Sequence, residues 1–403
     1  MVRLIYFSPV FGSSYAQRPH FTIQRWLDLG VAAVLWVNPY PARLPQLRDL
    51  CRRGMHDQKT SLDPRVTLLN VPALPIEPVP GGTWLNRRLL WSKVWQQLRR
   101  FATEGQTVIG IGRPGALALA ALRELRPAAS FFDAMDSFPE FYRGLSRRAM
   151  QYHEDAVAAE VDLVVASSTF LAEKFARRGL RVERVLNACT TAHLPAWQPA
   201  TKSPIVLGYL GCLGHWFDWP LVMRLARQCP DARIELIGPR AVGPPAALPH
   251  NIRLLPPCNQ RDAGRHLARF SVGLIPFHNN ALTAGVDPIK FYEYRACGLP
   301  VLSTRFGEMA TRGPEEGVYF IDQTSAMTSA VAQALVHAGD EAGITQFRHE
   351  HDWRRRFEQA HLFRSLFVQA SFIGSRKPAT SRRLSGRRSL RIAGLRFPIC
   401  RAD

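Results

Sequence analysis

The sequence predicts an α/β protein built from two doubly wound parallel-sheet domains that face each other across a cleft. Three observations carry the prediction. At 403 residues the chain is longer than one hydrophobic core usually supports. Short apolar runs alternate with helical patterns along both halves, and near-continuous apolar strands between helices mark a parallel sheet covered on both faces. Between the halves, residues 192–204 are rich in Pro, Thr and Ala and carry no periodicity, which places the hinge there.

The strand runs of the first half are residues 4–7, 33–37, 66–71, 108–111, 130–132, 163–166 and 182–186, and those of the second are 206–210, 234–237, 252–255, 272–275, 301–303 and 318–321. The domains are therefore expected at 1–195 and 203–345. A helical pattern at about 353–372 returns toward the first domain, and a basic, flexible tail covers 374–403. A 46% hydrophobic content is enough to fill two cores. The formal charge of +20 is only partly the tail's, since 374–403 hold nine Arg and Lys against one Asp. A basic body implies an anionic partner: a nucleotide phosphate, a lipid headgroup or nucleic acid.

Seven cysteines stand singly, at Cys51, Cys189, Cys212, Cys229, Cys258, Cys297 and Cys400, without metal-ligand spacing. They read as reduced thiols of a cytoplasmic protein. The opening Met1-Val2-Arg3 and its short apolar run lack the length and cleavage site of a signal peptide, and no apolar run approaches the roughly 20 residues of a membrane span. Membrane contact is thus expected to be peripheral, at the inner face of the plasma membrane. Residues 83–101 and the basic tail suit an anionic membrane surface: Trp84, Trp91, Trp95 and Leu98 share one helical stripe, and five basic residues accompany it without an acid. The same stripe also suits an ordinary helix packed on the sheet.

The segment Asp287-Pro288-Ile289-Lys290-Phe291-Tyr292-Glu293-Tyr294-Arg295-Ala296-Cys297-Gly298-Leu299-Pro300-Val301 carries the most chemistry. Pro288 suits a helix start, Gly298 its end, and Val301 begins a buried strand. A helix starting at the C-terminal edge of a parallel sheet turns its free amides toward the ligand crevice. Lys290 and Glu293 share a face of its first turn, so a cation for phosphate stands beside a carboxylate for ribose hydroxyls. The alternative is a surface ion pair between the two.

This stretch resembles the nucleotide-sugar segment of group 1 glycosyltransferases of the GT-B fold, P-x-K-x-x-E-Y-x-A-x-G-x-P-V. The resemblance implies two Rossmann-like domains, with Glu293 on the donor ribose and Lys290 by the diphosphate. It adds Pro288, Phe291, Gly211 and Arg18 to the donor contacts. Residues 8–20 resemble the opening S-P-V-x-x-x-x-Y-x-Q-R-P-H loop of a bacterial surface-polysaccharide subgroup of the teichuronic-acid type. Asp133-Ala134-Met135-Asp136 resembles its D-x-M-D segment, and Gly208-Tyr209-Leu210-Gly211 with Trp216-Phe217-Asp218 its G-Y-x-G and W-F-D blocks. Three departures stand out. Gly285 occupies the place of the first Glu of many retaining relatives, Asn187-Ala188-Cys189-Thr190 replaces N-G-V-D, and the Arg and Lys phosphate pair is missing from 211–218.

The expected function is transfer of a sugar from a nucleotide sugar to a glycan or lipid-linked acceptor, as a hexosyltransferase of polysaccharide biosynthesis. Asp133, Asp136 and His20 are the candidate catalytic residues, the aspartates as bases at a sheet edge and His20 as a proton carrier. Asp133 also suits a turn cap, and residues 17–20 suit a helix start. No D-x-D motif is present, so no metal and no other cofactor is expected. A nucleotide-sugar epimerase of the same fold is the alternative enzyme. A nucleic-acid-binding protein is a weaker alternative, because the basic charge comes without a recognition motif.

Overall fold

The computed structural model describes residues 1–45, 62–191, 194–195, 204–244, 247–322, 327–337, 341–360 and 362–373. Most of the 192–204 hinge, Cys51, Cys400 and the 374–403 tail lie outside them.

The first sheet holds seven strands, all parallel: β1 (Val2–Phe7), β2 (Ala33–Val37), β3 (Val66–Leu69), β4 (Gln106–Ile111), β5 (Ala129–Ala134), β6 (Leu163–Ala166) and β7 (Val182–Arg184), in the order 3-2-1-4-5-6-7. The second holds β8 (Val206–Leu210), β9 (Arg233–Ile237), β10 (Ile252–Leu255), β11 (Val272–Ile275), β12 (Val301–Ser303) and β13 (Val318–Phe320), in the order 10-9-8-11-12-13. In each sheet the chain leaves the first strand in one direction and later resumes on its other side, so a crevice opens beyond the strand ends at β1/β4 and at β8/β11. These two crevices are the walls of the cleft.

The helices are α1 (Arg18–Asp28), α2 (Gly82–Leu89), α3 (Ser92–Thr103), α4 (Ala116–Leu125), α5 (Gly144–Glu160), α6 (Thr169–Ala176), α7 (Trp219–Gln228), α8 (Gln260–Arg269), α9 (Ile289–Ala296), α10 (Met327–Leu335), α11 (Glu341–Glu350), α12 (Trp353–Gln359) and α13 (Leu362–Ile373). Each sheet is buried on both faces. β6 and β11 have no exposed residue, as a strand between two helix layers requires. In β5 the period of two sends Phe131 toward α1 and α13, and Phe132 toward α3 to α6. Asp133 follows Phe131 onto the α1 face.

α12 and α13 lie on the first sheet although they follow the second. Phe363 packs edge-on against Trp26 and Phe131, and Trp353 stacks on Phe21 at 5.1 Å. The chain crosses back where it crossed over: Cys189 N–H donates to His351 O at 3.0 Å, and Trp353 N–H to Cys189 O at 3.2 Å.

The tryptophan stripe of 83–101 does not form one interfacial helix. The segment breaks into α2 and α3, and Trp91, Val94, Trp95, Leu98 and Phe101 are buried in the core of the first domain. Trp91 donates to Pro72 O at 3.1 Å, and Arg87 is held by Glu124 at 2.5 Å while lying over the Trp95 ring. Trp84 and Leu89 stay exposed. A core stripe and a membrane stripe share the helical period, and here the stripe faces the sheet.

Among the described residues, buried polar contacts fasten the domains at two places beyond the crossover. Asp287, 3% exposed, accepts from Asn187 N–H at 2.7 Å, from the Tyr292 hydroxyl at 2.8 Å and from Arg312 at 2.9 Å, and its backbone carbonyl accepts from the Asn187 side chain at 2.5 Å. At the other contact the Glu308 carboxylate accepts the Thr169 N–H at the start of α6. Replacing Asp287 with Ala leaves Arg312 buried without its carboxylate, a change that costs about 3–5 kcal/mol. Denaturant unfolding of Asp287→Ala should show that loss, and a change under about 1 kcal/mol would mean the latch does not hold the domains.

Candidate active site

The cleft between the sheets encloses about 690 Å³. One wall comes from loops that follow β1, β4 and β5: Val10, Arg18, Arg113, Asp136, Phe138 and Tyr142. The other comes from loops that follow β8 and β11, with Trp216, Phe277, Thr283 and the start of α9 through Lys290. Every wall residue follows the C-terminal end of a parallel strand, where α/β folds place their ligands.

On the first wall Asp136 stands two residues past the end of β5. Its carboxylate has no hydrogen-bond or ion-pair partner among the described residues, and burial pushes its pKa up to about 7, with Arg18 opposing. A desolvated carboxylate left unpaired at a cleft has the affinity for a proton that a general base working near neutrality needs.

Asp133 does not share this position. It lies inside β5, fully buried on the α1 side, and it is absent from the cleft lining. One carboxylate oxygen accepts from Arg18 Nε at 2.8 Å, and the other from Thr22 at 3.3 Å and Tyr6 at 3.4 Å. With both oxygens engaged and no path to the cleft, Asp133 anchors Arg18 rather than meeting a substrate.

Arg18, 2% exposed, spans from that anchor to the cleft. It donates through Nη1 to Val185 O at 2.8 Å and to Asn187 Oδ1 at 3.1 Å, while Nη2 has no partner among the described residues. His20 lies elsewhere. Its Nδ1 accepts from Gln17 N–H, so the proton sits on Nε2 and points to Gly12 O at 3.2 Å. The ring packs against Trp36 at 4.8 Å beside Leu62 and Val66, away from the cleft, and burial lowers its pKa. Nδ1 serves the start of α1 and Nε2 the Gly12 loop, so the structure does not bring His20, an expected catalytic residue, to the cleft. The Gly12 amide is engaged by Asn38 at 3.0 Å.

On the second wall α9 begins after Pro288, its N-cap residue, and ends before Gly298, whose φ of +74 closes the helix. Lys290 faces the cleft from the first turn. Its ammonium lies 5.4 Å from the Tyr209 ring centre, and no carboxylate among the described residues reaches ion-pair distance. Burial lowers its pKa, and Glu293 opposes the shift. Glu293, one turn on, has its pKa raised by burial, with Lys290 opposing. The surface ion pair is therefore not formed. Burial perturbs both charges without bringing them into contact.

Gly211 ends β8 at a φ of +152, and a Cβ there would lie 2.4 Å from Lys290 Cε. Its role is to leave room for the lysine. Phe291 does not reach the cleft: it is 2% exposed under the Arg312 guanidinium at 3.7 Å, so its expected donor contact is corrected to a core contact. Gly285 turns its missing side chain toward Leu171 of α6, at 3.2 Å from where a Cβ would stand, and not toward a donor.

Sequence reasoning missed Arg113, Asn187 and Asp287. Arg113 donates to Tyr40 O at 2.9 Å and to the Tyr142 hydroxyl at 3.2 Å. Its place two residues past β4 was the available signal, the same one that marks Asp136. No group of three or more His, Cys, Asp and Glu among the described residues is arranged to hold a metal, and no described helix is long and apolar enough to cross a membrane.

No protein-family model matches the chain. A curated relative, "Putative teichuronic acid biosynthesis glycosyltransferase TuaH" of Bacillus subtilis (strain 168), is 25% identical over 108 residues; the match spans 26% of this chain and 27% of the relative. Among solved structures, sucrose-phosphate synthase from Thermosynechococcus elongatus aligns at a TM-score of 0.63 with 13% identity, over 91% of this chain and 99% of that one. The lipopolysaccharide outer core galactosyltransferase WaaB aligns at 0.57 with 10% identity, over 93% and 100%. The E. coli structure described as trehalose-6-phosphate bound with UDP-2-fluoro glucose aligns at 0.52 with 12% identity, over 92% and 98%. The chain has the GT-B fold of these proteins: two parallel-sheet α/β domains of seven and six strands.

Proposed function

We propose that the protein transfers a sugar from a nucleotide-sugar donor to a glycan or lipid-linked acceptor, with Asp136 as the base. The observation that carries the reading is the unpaired Asp136 carboxylate, at a pKa of about 7, in one cleft with Lys290 and the first turn of α9. Asp136 takes the proton of the acceptor hydroxyl as that oxygen attacks the anomeric carbon. Lys290 and the free amides of α9 meet the charge that grows on the departing nucleoside diphosphate. Glu293 holds the ribose hydroxyls. A transfer that inverts configuration at the anomeric carbon needs such a base.

Fold neighbours with UDP-2-fluoro glucose and with glucose-6-phosphate in their descriptions support a nucleotide-sugar donor and a sugar acceptor. The 108-residue likeness to TuaH supports a hexosyltransferase of surface-polysaccharide synthesis, of the teichuronic-acid type. Such an enzyme works at the cytoplasmic face of the membrane, where nucleotide sugars meet lipid-linked acceptors. The relatives reported above give no support to an epimerase or a nucleic-acid-binding protein.

For the donor side, Glu293→Ala should weaken nucleotide-sugar binding by about 1.5–3 kcal/mol, the value of charge-assisted hydrogen bonds. Lys290→Met should impair the nucleoside diphosphate far more than the nucleoside. Calorimetry with a panel of nucleotide sugars decides both, and unchanged affinity in folded variants rejects the assignments.

For the acceptor side, Asp136→Asn should lower turnover by roughly 10² or more with donor affinity intact. The base acts only when ionised, so kcat/KM should fall as pH drops below about 7, and this limb should vanish in the Asn variant. Asp133→Asn should instead lower stability, because it loosens Arg18. Near-normal turnover in Asp136→Asn would remove the base from the mechanism.

With Lys290 and the α9 amides on the leaving group, we also propose that no divalent metal or other cofactor takes part. Turnover should survive EDTA, and its loss with recovery on adding Mg²⁺ would overturn that reading.

A further inference from the structure

At the mouth of the cleft the first domain carries a surface that is both apolar and basic. It spans the end of the short 3₁₀ turn Phe138–Phe141 and the first two turns of α5. Phe141 is 43% exposed, Leu145 52% and Tyr152 58%. Leu145, Arg148 and Tyr152 follow at three- and four-residue spacing, which makes one stripe along the helix. Arg143, Arg147 and Arg148 are exposed beside them. Leu44 N–H donates to Ser146 Oγ at 3.1 Å, which brings the Arg43 loop against the same turn. The acids nearby are engaged: Glu140 by Arg147 at 2.6 Å, and Asp155 by Arg178 at 2.5 Å. Phe141 and Arg43 also line the cleft, so the surface and the cleft are continuous.

The start of α5 breaks the rules for a solvated helix end. It has no side-chain cap and no acid in its first turn, and it opens on Gly144 at a φ of +54. Three arginines crowd the end whose free amides already carry partial positive charge, an arrangement that costs stability. Glu140 answers only Arg147, and a local rule broken with so little compensation inside the molecule marks a surface shaped for an outside partner. That partner must be anionic, to answer the arginines and the helix end, and must offer an apolar edge to Phe141, Leu145 and Tyr152. A soluble polyanion meets the first need and leaves the three side chains in water. An anionic bilayer meets both, with headgroup phosphates on the arginines and the apolar side chains at the headgroup boundary.

We propose that this face docks the protein on an anionic phospholipid surface and holds the mouth of the cleft against it. Its purpose rests on the transferase reading, since a cleft seated there meets an acceptor carried in lipid. The docking itself does not need that reading.

The test floats the full chain with vesicles of phosphatidylcholine, with and without phosphatidylglycerol, at physiological salt. The comparison variants are Leu145→Ser/Tyr152→Ser and Arg143→Gln/Arg148→Gln. Wild-type protein should partition onto the anionic vesicles, and each double variant should lose roughly tenfold or more of that partition with its thermal midpoint unchanged. The basic residues of 374–403 would bind anionic lipid through charge alone, and such binding ignores the Leu145→Ser/Tyr152→Ser change. Wild-type protein that fails to float, or an apolar variant that floats as well as wild type, overturns the proposal. Nucleotide-sugar binding, read by thermal shift on the same preparations, separates the two claims. Wild-type protein that binds donor but not vesicles rejects the docking face alone, and wild-type protein that binds vesicles but no donor rejects the transferase reading alone.

Discussion

The geometry of the cleft depends on one run of buried polar contacts. It starts at Asp133 in β5, passes through Arg18 to Asn187 beyond β7, crosses to Asp287 ahead of α9, and ends at Arg312. Buried charges are tolerated where each has a partner, and removal of one strands the next. The run therefore does more than join two domains. Asp136 stands three residues past its first member and Lys290 three residues past Asp287. The two groups proposed to handle the acceptor proton and the leaving phosphate are thus set by the same chain of contacts.

The contrast between two aspartates three residues apart shows how little separates scaffold from chemistry. Asp133 is inside the strand, where the period of two fixes its direction and three donors take its oxygens. Asp136 is past the strand end, where no ladder and no donor among the described residues claims it, and burial raises its proton affinity against the opposing charge of Arg18. The donor side has the same logic, for Lys290 and Glu293 are close enough to perturb each other and are not paired. Perturbed charges that lack an ion-pair partner among the described residues and gather where two domains meet are the local mark of a site.

The sheets were legible because a parallel strand buried on both faces must be apolar along its length, and nothing else of four to six residues between helices looks like that. Residues 33–37, 163–166, 206–210, 252–255, 272–275 and 301–303 coincide with observed strands to the residue. Direction was less legible. The stripe of Trp91, Trp95 and Leu98 has one period whether it meets a sheet or a lipid, so the choice needed the neighbouring α4 and the core it completes. His20 and Asp133 were placed near the right loop, but which way each side chain turns depends on Gly12, Trp36, Thr22 and Arg18, from other turns of the chain. The latch was invisible for a related reason: Asn187 and Asp287 are a hundred residues apart and neither is unusual alone.

The fit of Gly211 to Lys290 bears on how such a donor segment could be moved between proteins. The helix that carries the lysine reads as a portable cassette, with its own start, stop and functional face. Its ammonium nevertheless occupies the space a side chain at position 211 would fill, 79 residues earlier at the end of β8. Grafted onto a related scaffold with alanine or serine at that strand end, the cassette would fold and yet aim its charge wrongly. Glycine and lysine are one transplantable unit, and a chimera designed by cutting the sequence into contiguous blocks would divide it.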